Sequence, residues 1–276
     1  MHVAVIGAGA LGAVYGVRLA LHADVTVTFV VRPKRAGDAS PIVIERVKGD
    51  VRDVLEAPSR ATRVPGDADV VLVCVGTEDL EGLALGESDA PIVVLTPMMP
   101  RDWQKARAAF GPRILAAMPS VVAYARKDDG VVRHWLPPAR TRIDEPRAGD
   151  VVDTVNALVD ALDRAGLGAH VEMAVHETNP ATTVCAIPLA MALCVAGSLE
   201  ALANDDDLAT LAVRACSEGV AIGRRIGRPE IGAQLAPFVA SPLALRAMLA
   251  GLRRFSPEGL FYLEAEGSPR FLAAFS

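Results

Sequence analysis

Near the start of the chain, Val3-Ala4-Val5-Ile6 runs directly into Gly7-Ala8-Gly9-Ala10-Leu11-Gly12. Four apolar residues in a row, three of them β-branched, read as a strand covered on both faces. Ala10–His22 then carries apolar residues at helical spacing and predicts a helix. A G-x-G-x-x-G run between a strand and a helix is the context of a dinucleotide-binding loop. Each glycine has a physical role there. Gly7 permits the tight turn, Gly9 lets the backbone approach a pyrophosphate, and Gly12 lets the helix pack on the strand. Ala10 and Leu11 open the helix, whose unpaired N–H groups receive the anion.

The second strand, Asp24–Val31, is rich in Val and Thr. A loop of this type usually has an acid at the end of that strand, bonding a ribose 2′-hydroxyl. Here Arg32, Lys34 and Arg35 follow instead. A carboxylate would repel a 2′-phosphate, whereas a guanidinium binds one through two parallel hydrogen bonds. The expected cofactor is therefore NADP(H) rather than NAD(H). The plainer reading of these three residues is a solvated basic loop.

After a less regular stretch (Pro41 to Val64), Asp69–Val75 and Pro91–Leu95 read as buried strands, and Ile114–Met118 and Val131–Trp135 as later ones. Gly76 and Thr77, just past the Asp69–Val75 strand, complete the candidate cofactor-binding set. Val151–Ala165 is a helix, with Val152, Val155, Leu158, Val159 and Leu162 at helical spacing and Gly166 and Gly168 to stop it. This alternation implies an α/β fold, a Rossmann-type doubly wound parallel sheet. Beyond about Met173 the strand signal disappears, leaving helices over Thr182–Ala203, Asp206–Ile226 and Pro242–Leu252. The expected domains are residues 1–172, which bind NADP, and 173–276, a smaller all-helical domain for substrate and dimerisation.

Composition excludes several function classes. With 276 residues, 51% of them hydrophobic, the chain can bury a sizeable core. A net charge of −5 provides no global field for nucleic acid. Cys74, Cys185, Cys194 and Cys216 lie too far apart for a zinc site or a disulfide framework. Asp205-Asp206-Asp207 lacks further ligands, so no metal is expected. The start has no basic region of a signal peptide. Val184–Leu199 is almost wholly apolar, but its 16 residues fall short of the roughly 20 that span a bilayer, and Pro188 interrupts it. A buried helix fits it, and so long an apolar stripe suggests a homodimer through the helical domain. A cytoplasmic protein acting on a small molecule, with neither nucleic-acid nor membrane partners, is the expectation. Of 28 basic residues only Lys34, Lys48, Lys105 and Lys127 are lysines, and none follows Lys127.

The opening run from His2 to Gly12, the arginine closing the second strand and the stretch from Ala125 to His134 together resemble the ketopantoate reductase family. The layout of a dinucleotide-binding domain followed by a smaller helical one is similar too. The resemblance implies an NADPH-dependent reductase of a 2-oxo acid, with the substrate held between the domains. It also implies a lysine as general acid at the start of the long helix of the second domain. Counting back from Pro188, that position is Asn179. The family asparagine after the fifth strand aligns with Thr96-Pro97-Met98, and a lysine common after the fourth strand aligns with Gly76. Glu258, in Arg253-Arg254-Phe255-Ser256-Pro257-Glu258, resembles a family glutamate near the end of the chain.

Reduction of a carbonyl or imine needs a proton donor or an electrophilic partner at the acceptor atom. The candidates are His176, with an unperturbed pKa of about 6.5, Asn179, which can only hydrogen-bond, and Glu258. Each also has a structural reading. His176-Glu177-Thr178-Asn179-Pro180 can link the domains, with Asn179 as N-cap and Pro180 at the first helical position. Glu258 can sit in the first turn of a last helix. Two functions follow: an NADPH-dependent oxidoreductase acting on a carbonyl or imine other than ketopantoate, or a cofactor-binding protein of the same fold without redox turnover.

Overall fold

The computed structural model describes residues 1–47, 51–125, 129–136, 139–146, 150–225, 236 and 239–255. In chain order the first part comprises β1 (His2–Ile6), α1 (Ala10–His22), β2 (Thr26–Val30), β3 (Ile42–Arg46), β4 (Arg52–Leu55), β5 (Ser59–Ala61), β6 (Val70–Val73) and β7 (Ile92–Val94). It continues with α2 (Pro100–Phe110), β8 (Ile114–Met118), β9 (Val122–Ala125), β10 (Val132–Trp135), β11 (Thr141–Asp144), α3 (Asp150–Arg164) and β12 (Ala169–Glu172). Helices α4 (Val175–Ala196), α5 (Leu199–Asn204), α6 (Asp206–Arg225) and α7 (Pro242–Phe255) follow. The chain divides into two compact units, Met1–His176 and Glu177–Ser276.

Eight strands of the first unit form one sheet in the order β12-β11-β8-β7-β6-β1-β2-β5. The predicted run Val3–Ile6 is its centre: Val3, Ala4 and Val5 are fully buried, and β1 pairs in parallel with β2 on one side and β6 on the other. The parallel order continues through β7 and β8. β11 enters antiparallel, against β8, and carries β12 parallel to itself at the edge. From β1 the chain builds the sheet first toward β2 and β5, then toward β6, β7 and β8. Such a reversal opens a crevice beyond the carboxyl ends of β1 and β6, where this architecture binds ligands.

The stretch from Pro41 to Val64, expected to be irregular, instead holds β3, β4 and β5. β5 extends the main sheet beside β2, while β3 and β4 join β9 and β10 in a second sheet ordered β4-β3-β10-β9. These strands are short and mostly half-buried: β4 and β5 lack a continuous apolar run, and of Ile42-Val43-Ile44 in β3 only Ile44 is fully buried before Glu45 and Arg46 break the pattern. β3 pairs with its neighbour β4 and also, in parallel, with the distant β10. The second sheet covers the outer side of α1, so α1 lies within one core that joins Val3, Val5 and Phe29 of the main sheet, Ile44 and Val132 of the second, and Leu158 and Leu162 of α3. At roughly 1.5–3 kcal/mol for each large apolar side chain removed from water, this core is the main support of the first unit. Within it Tyr15 Oη lies 2.5 Å from Thr141 Oγ1, and Ser120 Oγ donates to the Leu167 carbonyl oxygen at 3.1 Å.

The helical part needs two corrections. The long helix starts at Val175 rather than Thr182, so Asn179 and Pro180 lie inside it, not at an N-cap and first position. It also ends at Ala196: Gly197 takes φ +77°, and Ser198 caps the separate α5 by accepting from the Ala201 N–H. In the second unit Leu193, Leu199, Leu202, Ala209, Val213, Leu245 and Leu249 pack α4, α5, α6 and α7 together. Arg246 donates to the Ala203 carbonyl oxygen at 2.6 Å, tying α7 to α5. Among the described residues no helix is long and apolar enough to cross a membrane.

Candidate functional site

The glycine loop has the geometry its sequence requires. Gly7 takes φ +95°, and a Cβ there would lie 2.7 Å from Val75 Cγ1 and 3.0 Å from the Cys74 carbonyl oxygen. At Gly12 a Cβ would lie 2.0 Å from the Gly7 carbonyl oxygen, so only glycine lets α1 leave the loop at this closeness. At Gly9 a Cβ would meet nothing within 4 Å, which leaves open space above the first turn of α1. Gly16, outside the motif, is held to glycine by a different neighbour. A Cβ there would lie 2.4 Å from Phe29 Cζ, so α1 presses on β2 through the ring of Phe29.

Beyond β1 and β6 lies a cavity of about 650 Å³, lined by Gly7 and Gly9, by Arg32, Lys34 and Arg35, and by Val75 with Glu78 and Asp79. Arg32 follows β2, and Lys34 and Arg35 sit in a 3-10 turn, Pro33–Arg35. Three cations therefore gather at the end of the cavity formed by the chain after β2. Two acids from the 3-10 turn Thr77–Gly82 face the same space. Arg32 Nη2 stands 3.6 Å from Asp79 Oδ2, with the Arg32 side chain 75% exposed. An ion pair so exposed is worth little and is readily exchanged for a stronger anion. Of the other sequence-predicted cofactor residues, Ala10, Leu11, Gly12, Gly76 and Thr77 do not line this cavity. The sequence reading missed Val75, Glu78 and Asp79, which reach the cavity only because β6 lies beside β1. An open floor at Gly9 and a basic end at Arg32, Lys34 and Arg35 fit the anionic groups of a dinucleotide.

His176 stands in a second cluster of the first unit. Its Nδ1 lies 2.6 Å from Asp144 Oδ2, and its ring stacks on Trp103 with centroids 4.7 Å apart and planes at 24°. The other carboxylate oxygen of Asp144 accepts the Val175 N–H at 2.7 Å. The helix start is thus capped from β11, 31 residues earlier in the chain, and Ala174 makes the turn into it at φ +60°. No local signal could have marked it, which is why the sequence placed the cap at Asn179. Neither Asp144 nor Trp103 was singled out by sequence, since nothing local links them to His176.

Asn179 is buried within α4, and Glu258 lies outside the described residues. Thr96, where the family asparagine aligns, donates its hydroxyl to the Val75 carbonyl oxygen at 2.5 Å and so joins the loops after β7 and β6. Tyr15 is fully buried with its hydroxyl paired to Thr141, and burial pushes its phenol up from the ordinary value. Among the described residues no three His, Cys, Asp or Glu side chains gather as a metal site.

Comparison with known proteins bears on the whole arrangement. The family model "Ketopantoate reductase PanE/ApbA" matches residues 3–145. No curated protein matches the chain in sequence. Among solved structures, a PanE/ApbA family ketopantoate reductase from Ralstonia eutropha JMP134 is 18% identical, with 100% coverage of both chains and a TM-score of 0.66. The 2-dehydropantoate 2-reductase from Porphyromonas gingivalis W83 is 18% identical over 100% of this chain and 99% of its own, with a TM-score of 0.62. D-mandelate dehydrogenase, in complex with NADH, is 14% identical over 100% of this chain and 93% of its own, with a TM-score of 0.65. At these identities the likeness is one of fold. The family match itself spans more than half of the chain, and this protein belongs to the ketopantoate reductase PanE/ApbA family of oxidoreductases.

Proposed function

We propose that this protein is an NADP(H)-dependent oxidoreductase that reduces a small carbonyl or imine compound other than ketopantoate. One observation carries the reading: a single cavity brings the glycine loop at Gly7 and Gly9 together with Arg32, Lys34 and Arg35. In this reading Gly9 leaves room for the pyrophosphate at the start of α1, and the three cations hold the 2′-phosphate. The dinucleotide, when bound, supplies the hydride chemistry. D-mandelate dehydrogenase is a fold neighbour seen with NADH, so the preference for the phosphorylated cofactor rests on these basic residues alone. A substrate other than ketopantoate is supported by Asn179, which stands where the family lysine aligns, and by the lack of any lysine after Lys127.

His176 is the proposed proton donor to the acceptor atom, because a protonated imidazole carries a proton that it can transfer. Asn179 and Glu258 remain proposed partners, as hydrogen-bond donor and as acid, respectively. The deciding experiment follows NADPH and NADH oxidation by absorbance across 2-oxo acids, ketones and cyclic imines. The expected outcome is turnover of at least one class with a preference for NADPH. Tight NADPH binding without turnover of any class would replace this reading with that of a non-redox cofactor-binding protein.

A further inference from the structure

We infer that Asp144 is a positioning residue for His176, holding its ring in the tautomer with the proton on Nδ1 so that Nε2 is the nitrogen that exchanges a proton. The inference rests on the proposed role of His176, but its geometry stands by itself.

A carboxylate only accepts hydrogen bonds. With Asp144 Oδ2 at 2.6 Å, Nδ1 must donate, and the lone pair of the neutral ring is therefore on Nε2. In the imidazolium form the carboxylate holds the proton on Nδ1, so the proton passed on is the one on Nε2. Departure of that proton to an acceptor oxygen or nitrogen returns the neutral Nδ1–H ring, and solvent restores the charge. Trp103 fixes the plane of the ring, and the hydrogen bond from the neighbouring Val175 N–H to Asp144 Oδ1 fixes the backbone beside it. The His176 side chain keeps 18% of its surface accessible, while that of Asp144 keeps 8%.

Capping α4 does not account for this arrangement. One oxygen suffices for the cap, and asparagine caps a helix as well as aspartate does. Burying a carboxylate costs more than one cap hydrogen bond returns, so the charge is explained by what the second oxygen does for the ring. The same pairing orients histidines at hydrolytic and metal sites, where its loss leaves the wrong nitrogen protonated.

The test is Asp144→Asn in the full chain. The amide oxygen retains the Val175 cap, while the amide NH₂ faces Nδ1, which must then accept and pass its proton to Nε2. NMR of nitrogen-labelled histidine, with the His176 signal identified from His176→Gln, reads the tautomer directly and needs neither cofactor nor substrate. The expected result is Nδ1–H in the wild type and Nε2–H in the variant. An Nε2–H ring in the wild type would overturn the inference even if the variant failed to fold. On a substrate found in the panel above, the variant should lose about 100-fold or more in kcat, with KM for NADPH unchanged. An unchanged kcat would likewise overturn it. If no substrate is turned over by the wild type, the oxidoreductase reading fails, while the tautomer measurement still decides the role of Asp144.

Discussion

Arg32 illustrates how much one side chain can decide. It closes β2, lines the cavity and pairs with an exposed acid, Asp79, so its guanidinium can exchange that partner for a phosphate. A charge-assisted hydrogen bond of this kind contributes about 1.5–3 kcal/mol, or roughly 10- to 150-fold in affinity. Arg32→Ala should weaken NADPH binding by that factor and leave NADH binding nearly unchanged, as read by fluorescence titration of both cofactors. Equal losses for the two would remove Arg32 from the 2′-phosphate. The residue types around it were legible because charge after the second strand is a local property. The acids across the cavity were not, since Glu78 and Asp79 lie more than forty residues away along the chain.

At the scale of elements, α1 shows how a helix can be fixed by its glycines. An alanine in place of glycine within a helix ordinarily gains about 1 kcal/mol. At Gly12 the added carbon would stand 2.0 Å from the Gly7 carbonyl oxygen and 3.2 Å from Val5 Cγ1. Overpacking of this kind costs about 1–3 kcal/mol and outweighs the gain in propensity. Gly12→Ala should therefore lower the urea midpoint and weaken NADPH binding together, because the same shift moves the N–H groups at the start of α1. A variant as stable as the wild type would show that α1 can slide without cost. Elements with continuous apolar runs, such as β1 and β8, were readable to within a residue. The start of α4 was not, because its cap is Asp144 on another strand. The strands β3, β4 and β5 were missed for a related reason: β4 and β5 lie at sheet edges, β3 is held between β4 and the distant β10, and their place comes from those partners.

At the scale of the molecule, α1 sits between two sheets, and that contact carries a titratable group. His134 of β10 is buried, near Arg18, Asp53 and Arg46, and burial together with the Arg18 charge pushes its imidazole down to about 4. An unfolded histidine titrates near 6.5, so between these values the unfolded chain holds a proton that the folded chain does not. Stability is therefore full above about pH 6.5 and falls as the pH drops toward 4, by roughly 2 kcal/mol at pH 5 from this ring alone. Urea unfolding at neutral pH and at about pH 5 should show the loss, and His134→Gln should lose less on acidification by that amount. A variant with the acid sensitivity of the wild type would remove His134 as the source. The sequence by itself determined the glycine loop, the parallel strands at the centre, the basic residues after β2 and the change to an all-helical region, because each is written in neighbouring residues through local sterics, periodicity or charge. Only the tertiary structure decided the second sheet over α1, the acids facing Arg32 and the Asp144–His176–Trp103 cluster. Those depend on strands and helices far apart in the chain meeting in one core, and no local pattern encodes such a meeting.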